Sequence, residues 1–163
     1  MKKAFVFDFD DTLATTDCKV IVKGAAWTKK LTPAEFNEYE LKETEEFDFS
    51  EFRSDKFIRC ANPTFLIHLA KEVYDEGHSV YVLTARADNV ADAITNWLMD
   101  FKVKPVKVIG VGSDDSKVNI AEEKQKVLGT IAQLHDATYF YDDHPENCDL
   151  AKGVGSGIKV YLV

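Results

Sequence analysis

The stretch AFVFDFDDTL, residues 4–13, sets four apolar residues directly against three carboxylates, Asp8, Asp10 and Asp11, packed into four positions. A run without polar alternation is the pattern of a strand covered on both faces. At the end of such a strand Asp8 and Asp10 share a pleat orientation, because side chains two apart point the same way. Two like charges held that close need a cation or a proton between them. The alternative is a turn in which one acid caps the backbone and the others are solvated.

Further along the chain the same kind of segment recurs. SVYVLTA (79–85), VKVIGVG (106–112), TYFYD (138–142) and GIKVYLV (157–163) are rich in β-branched and aromatic residues. Helical stripes lie between them: Phe65, Leu66, Leu69, Ala70 and Val73 before Gly77; Val90, Ile94, Trp97, Leu98 and Phe101; and Val127, Leu128, Ile131 and Leu134. Alternating strands and helices predict an α/β fold, a doubly wound, Rossmann-like parallel sheet with helices on both faces, and a ligand beyond the carboxyl ends of the strands.

Residues 14–61 interrupt this alternation and are too many for an ordinary loop. The expected division is therefore a core of residues 1–13 and 62–163 and a small inserted cap of residues 14–61. The first part of the insertion, CKVIVKGAAWTKKLT (18–32), is strand-like around Gly24 and carries Lys19, Lys23, Lys29 and Lys30 with no acid. The second part, 35–56, holds nine acids against three bases, interleaved with Phe36, Tyr39, Phe47, Phe49 and Phe52. These aromatics are expected to pack the insertion onto the core.

Composition narrows the function. A chain of 163 residues, 45% apolar, has the size of one globular domain with a real core. A formal charge of −8 and a pI near 5.0 oppose a general electrostatic grip on nucleic acid. No apolar run reaches the roughly 18 to 20 residues that span a bilayer, and Met1-Lys2-Lys3 leads into a stretch too short and acidic for a signal peptide, so a cytoplasmic location is expected. Cys18, Cys60 and Cys148 are widely spaced and indicate neither disulfide nor zinc site, and the four histidines form no metal set. His144, beside Pro145, is either near substrate or part of a turn. No obligate protein partner is indicated.

Two more strand ends carry chemistry. TYFYDDHPEN puts Asp142 and Asp143 straight after an apolar strand, and parallel strands can bring them to the first cluster as an all-oxygen site suited to Mg²⁺. VYVLTARAD ends in Thr84, whose hydroxyl, with neighbouring backbone N–H groups such as that of Ala85, can hold a phosphoryl oxygen. Arg86 follows as a possible phosphate fork or a surface residue. A lysine should complete such a set. Lys124 shares the stripe of Val127, Leu128 and Ile131, Lys126 lies off it, and Lys117 in the preceding loop is a substitute.

Together DFDDTL, VLTAR, Lys124 and YFYDD, in that order, resemble the four motifs of the haloacid dehalogenase (HAD) superfamily of phosphotransferases. The resemblance implies a Mg²⁺-dependent phosphomonoester hydrolase working through an aspartyl-phosphate. Asp8 would be nucleophile and metal ligand. Asp10 would be general acid and base and lend its backbone carbonyl to the metal. Thr84 and Lys124 would hold the phosphoryl group, Asp142 would complete the metal site, and Asp143 would be a ligand or stand behind one. The family commonly has Gly where this chain has Asp11, which is therefore expected to be a turn residue facing away from the metal. LTAR paired with DDH, with a short insertion, is similar to the 3′-phosphatase domain of phage polynucleotide kinases and to small phage-type phosphatases. That implies a nucleotide or nucleic-acid 3′ phosphate end, with Arg86 as a substrate contact and the four lysines beside Trp27 as a local positive face. The lysines could equally decorate a solvated hairpin. Other readings are a phosphatase of a small metabolite, a receiver-like domain, whose acids come in another order and which lacks the insertion, and a silent phosphate-binding module.

Overall fold

In the structure, a computed structural model describing residues 2–113 and 118–163, five strands form one parallel sheet. Among the described residues, ten strands and six α-helices follow one another. The first strand, β1 (Ala4–Phe7), is followed by an inserted segment, then by helix α3 (Leu66–Asp75), β7 (Ser79–Ala87), α4 (Ala91–Asp100), β8 (Lys107–Gly112), α5 (Ile120–Leu134), β9 (Thr138–Asp142), α6 (Pro145–Ala151) and β10 (Ile158–Leu162). The sheet order is β10-β9-β1-β7-β8, with every pair parallel. From β1 the chain winds outward through β7 and β8, then returns to the other side of β1 for β9 and β10. The winding direction therefore reverses between β1 and β9, and a crevice opens at such a point beyond the carboxyl ends.

Strand β1 shows why the sheet is covered twice. Phe5 and Phe7 join a core with Val80, Val82, Ile94, Trp97 and Leu98, while Ala4 and Val6 face a second core with Leu83, Leu128, Ile131 and Phe140. The period-2 pleat sends alternate residues to opposite faces, and burial of both leaves no polar alternation in the sequence. Helix α3 ends at Gly77, whose φ of 87° suits a residue without Cβ, as the Gly77 and His78 amides close back onto the Tyr74 and Val73 carbonyls. The expected stripe of α3 is corrected at its start: Phe65 is 84% exposed, and Ile67 takes the inward place. The helix begins only at Leu66, so Phe65 precedes the stripe. Leu134, at the last position of α5, is likewise exposed.

The insertion opens and closes on a two-stranded stem, β2 (Ala14–Thr15) antiparallel to β6 (Asn62–Pro63). Between them lie β3 (Val20–Lys23), β4 (Thr28–Leu31), α1 (Pro33–Glu38), β5 (Glu46–Asp48), a 3₁₀ turn at Ser50–Arg53 and α2 (Asp55–Arg59). Strands β4, β3 and β5 form a separate antiparallel sheet. Most of the insertion's aromatics build a core of its own: Val20, Val22 and Leu31 are buried with Phe36, Tyr39, Phe47 and Phe52 against them. Thr32 and Glu35 form a reciprocal capping box at the start of α1. Trp27, 46% exposed, lies over Gly24 in the β3–β4 turn, where a Cβ would collide with the indole.

No helix among the described residues is long and apolar enough to cross a membrane.

Candidate active site

The parallel ladders bring two acidic strand ends side by side. Phe7 is opposite Tyr141, and the Asp8 amide donates to the Tyr141 carbonyl at 2.9 Å, so Asp8 and Asp142 emerge together at the crevice. After β1 the chain turns sharply, the amides of Leu13 and Ala14 both donating to the Phe9 carbonyl. The turn places Asp11 at φ 60°, a left-handed conformation that Asp tolerates better than most side chains and Gly adopts without strain. Asp11 is exposed, and its carboxyl is raised first by partial burial and then by Asp143 and Asp10.

Lys124 is the centre of the buried set. Its residue is 1% exposed, and its Nζ donates to Asp8 Oδ1 at 2.9 Å and to Asp142 Oδ2 at 2.7 Å. Burial opposes the ammonium, yet the charges of Asp8 and Asp142 outweigh it and raise the Lys124 pKa. Lys126 instead pairs with Glu123 on the surface, and Lys117 lies outside the described residues. Asp8 stands well above the ordinary carboxyl range, first because it is buried and then because Asp142 and Asp10 repel it, with Lys124 pulling the other way.

Asp142 is fully enclosed. Its Oδ1 accepts from the His144 amide at 2.8 Å, and its Oδ2 accepts from Asn147 Nδ2 at 3.0 Å as well as from Lys124. Asp8, Asp142 and Asp143 each present a carboxylate oxygen, all within 4.8 Å of one another. Three carboxylates around one ammonium remain under-neutralised, and an oxygen-only donor set of this kind fits a hard divalent cation such as Mg²⁺. The Asp10 carboxylate is not in that group.

Thr12, which sequence reasoning passed over, has its hydroxyl 3.4 Å from both Asp8 Oδ2 and Asp143 Oδ1. The only available signal was a hydroxyl four residues after Asp8 within the same tight turn. The Thr12 carbonyl accepts from the Thr64 hydroxyl, which ties the turn to the entry of α3.

Thr84 is buried near the end of β7, its Oγ1 accepting from the Arg86 amide at 3.1 Å, and the exposed Ala85 lines the crevice. Arg86 differs from the open phosphate fork expected of it. Its Nε and Nη2 grip both oxygens of Asp10 at 2.9 and 2.8 Å, and its Nη1 donates to the Phe52 carbonyl at 2.7 Å. Cys18 Sγ lies 3.4 Å from Nη2, and the guanidinium sits between the rings of Phe9 and Phe52, 5.6 and 5.1 Å from their centroids. The Asp10 carboxylate offers the planar partner that a guanidinium grips in bidentate fashion. Arg86 thereby joins the loop after β1 to the insertion.

The proposed lysine face is also altered. Lys23 pairs with Asp48 at 2.7 Å and Lys30 with Glu51 at 2.9 Å, so the acids of the second half of the insertion fold back onto the lysines of the first.

This arrangement defines an α/β protein with acidic strand ends gathered at the switch point of a parallel sheet. Its fold is that of a chain in the Pnkp1/Rnl/Hen1 RNA repair complex: the TM-score is 0.62 at 12% identity, over 100% of this chain and 42% of that one. The chain therefore spans less than half of that relative's length. It is also similar, at a TM-score of 0.48 and 17% identity, to a HAD family enzyme of Bacteroides thetaiotaomicron solved with magnesium and inorganic phosphate, over 99% of this chain and 94% of that one. No family model matches the sequence, and no curated protein is matched by it.

Proposed function

We propose that the protein is a Mg²⁺-dependent phosphomonoesterase of the HAD type, with residues 1–13 and 62–163 as the hydrolase core and 14–61 as its cap. The observation that carries this reading is the buried Asp8–Lys124–Asp142 array, with Asp143 beside it, at the switch point of the sheet. A receiver-like domain would not account for the insertion, which reaches Arg86 through the Phe52 carbonyl. The stem pairing of Ala14–Thr15 with Asn62–Pro63 supports the division into core and cap.

Asp8, Asp142 and Asp143, with the Asp10 backbone carbonyl, would hold the metal, which when bound supplies positive charge against the phosphate dianion. The Asp8 carboxylate attacks phosphorus as the bond to the leaving oxygen breaks, and Asp10 gives that oxygen its proton. Lys124 and the Thr84 hydroxyl, with the Ala85 N–H, take the phosphoryl oxygens. Water then attacks the aspartyl-phosphate, its proton passes to Asp10, and Asp8 leaves as a carboxylate. The two bonds from Arg86 fix both carboxylate oxygens of Asp10 in the loop after β1. For the first half, Asp10 must release one of them to carry a proton. Arg86 is thus a positioning residue for Asp10 in this reading.

The substrate proposed is a nucleotide or a nucleic-acid 3′ phosphate end. The resemblance of the LTAR and DDH motifs supports it, while the pairing of Lys23 and Lys30 weakens the case for a long strand. The test is phosphate release with Mg²⁺ from p-nitrophenyl phosphate, nucleoside 3′- and 5′-monophosphates and a 3′-phosphorylated oligonucleotide. Release should vanish with chelator and in Asp8→Asn. Release that survives that substitution sinks the aspartyl-phosphate mechanism.

A further inference from the structure

Between the insertion and the carboxyl edge of the sheet lies a cleft of about 970 Å³, at the upper end of the range for small-ligand sites. Asp10, Ala85 and Arg86 line it at the catalytic end, and Val118 and Ile120 line its core side. The insertion contributes phenylalanines. Phe36 meets Phe47 edge-to-face with centroids 4.9 Å apart, and meets Phe49 in the same manner at 5.6 Å. Phe47 and Phe49 are 5.9 Å apart.

Phe49 differs from the others. Phe36, Phe47 and Phe52 pack directly against the buried core of the insertion, whereas Phe49 packs on Phe36 and Phe47 from outside and is 38% exposed. It extends the aromatic wall of the cleft at its exposed end. Two of the cations that line it are engaged, Lys23 by Asp48 and Arg86 by Asp10, while Asp11 and Glu46 add negative charge. A cleft with engaged cations, further acids and an aromatic wall gives a polyanionic strand little to grip, but it gives a flat ring a surface on which to stack.

We propose that this wall binds the leaving group, and that the leaving group is a nucleoside, the base of a nucleoside monophosphate substrate stacking on Phe49. The proposal rests on the phosphomonoesterase reading for the placement of the phosphate, and it selects the single nucleotide over the polynucleotide end.

Adenosine 5′-monophosphate and ribose 5-phosphate share a leaving oxygen and differ only in the base, so comparing them isolates the wall. With Mg²⁺, kcat/KM should favour the nucleotide about tenfold or more, and Phe49→Ala should shrink that ratio about five- to tenfold, mainly through KM, with Phe49→Tyr retaining it. Equal kcat/KM for the two substrates, an unchanged ratio in Phe49→Ala, or a salt-sensitive preference for a 3′-phosphorylated oligonucleotide overturns the proposal. Calorimetric titration of both compounds into the Asp8→Asn protein separates it from the chemistry. Base-dependent binding that Phe49→Ala removes supports the wall even if wild type releases no phosphate. Binding indifferent to the base refutes it even if phosphate release is fast.

Discussion

Arg86 is the residue whose contacts depart most from an open fork. A phosphate fork would raise KM when lost, whereas a residue that holds Asp10 should show itself in kcat. Arg86→Lys keeps the charge but cannot span both oxygens of Asp10 and the Phe52 carbonyl at once. It is expected to lower kcat by roughly ten- to a hundredfold, on the scale of a misplaced general acid–base group, with KM changed little. Steady-state kinetics on a nucleoside monophosphate decides it, and a raised KM at constant kcat returns Arg86 to the substrate. Lys124 makes the complementary case. Lys124→Met would leave Asp8 and Asp142 buried together without their shared cation, a loss of about 3–5 kcal/mol in metal-free protein. Urea unfolding with and without Mg²⁺ should show that loss, reduced when the ion is present. At Asp11 the φ of 60° explains why glycine is common there in the resembled family: the turn after β1 needs a left-handed residue, whichever side chain occupies it.

At the scale of elements, the insertion is a small sheet stitched by ion pairs and a modest aromatic core. Asp48 is lowered to about 2, first by its bond from Lys23 and then by those from Ser50. A folded value below the unfolded one adds stability that is present above the ordinary carboxyl range and lost as pH falls from about 4 towards 2. The β3–β5 pairing should therefore loosen in that window. Trp27 emission, recorded in a Trp97→Phe background to remove the core indole, should report it. Asp48→Asn should flatten the acid transition of that signal. An unaltered transition would place the acid sensitivity elsewhere.

For the whole molecule, the metal site and the fold are linked through Asp8. Because its folded value is raised by burial and by its acidic neighbours, metal-free protein binds more protons folded than unfolded above the ordinary carboxyl range. The Asp8 contribution to stability therefore declines as pH rises from about 4 through its folded value. A divalent ion favours the ionised form and should offset that decline, so the gain in Tm on adding Mg²⁺ should grow with pH across this window. Thermal melts from pH 4 upward, with Mg²⁺ or chelator, measure it. Asp8→Asn should largely remove the pH dependence of the gain, and a gain independent of pH in wild type would detach the ion from Asp8.

The parallel sheet was legible because burial on both faces writes continuous apolar runs into β1, β7 and β9. Lys124 was legible because a lysine on an apolar helical stripe needs a buried anion. Asp8 and Asp142 stood out for a related reason: acids directly after buried strands must be compensated by something. Partnerships across long stretches of chain leave no such local mark. Nothing near Arg86 announces that it will clasp Asp10, 76 residues earlier, and reach the Phe52 carbonyl. Local composition likewise cannot show that the acids at 48 and 51 fold back onto Lys23 and Lys30. Periodicity and burial are properties of neighbouring residues and so belong to the sequence. Which charges meet, and which aromatic edge faces the cleft, depended on how the insertion is seated on the core, and only the tertiary structure decided that.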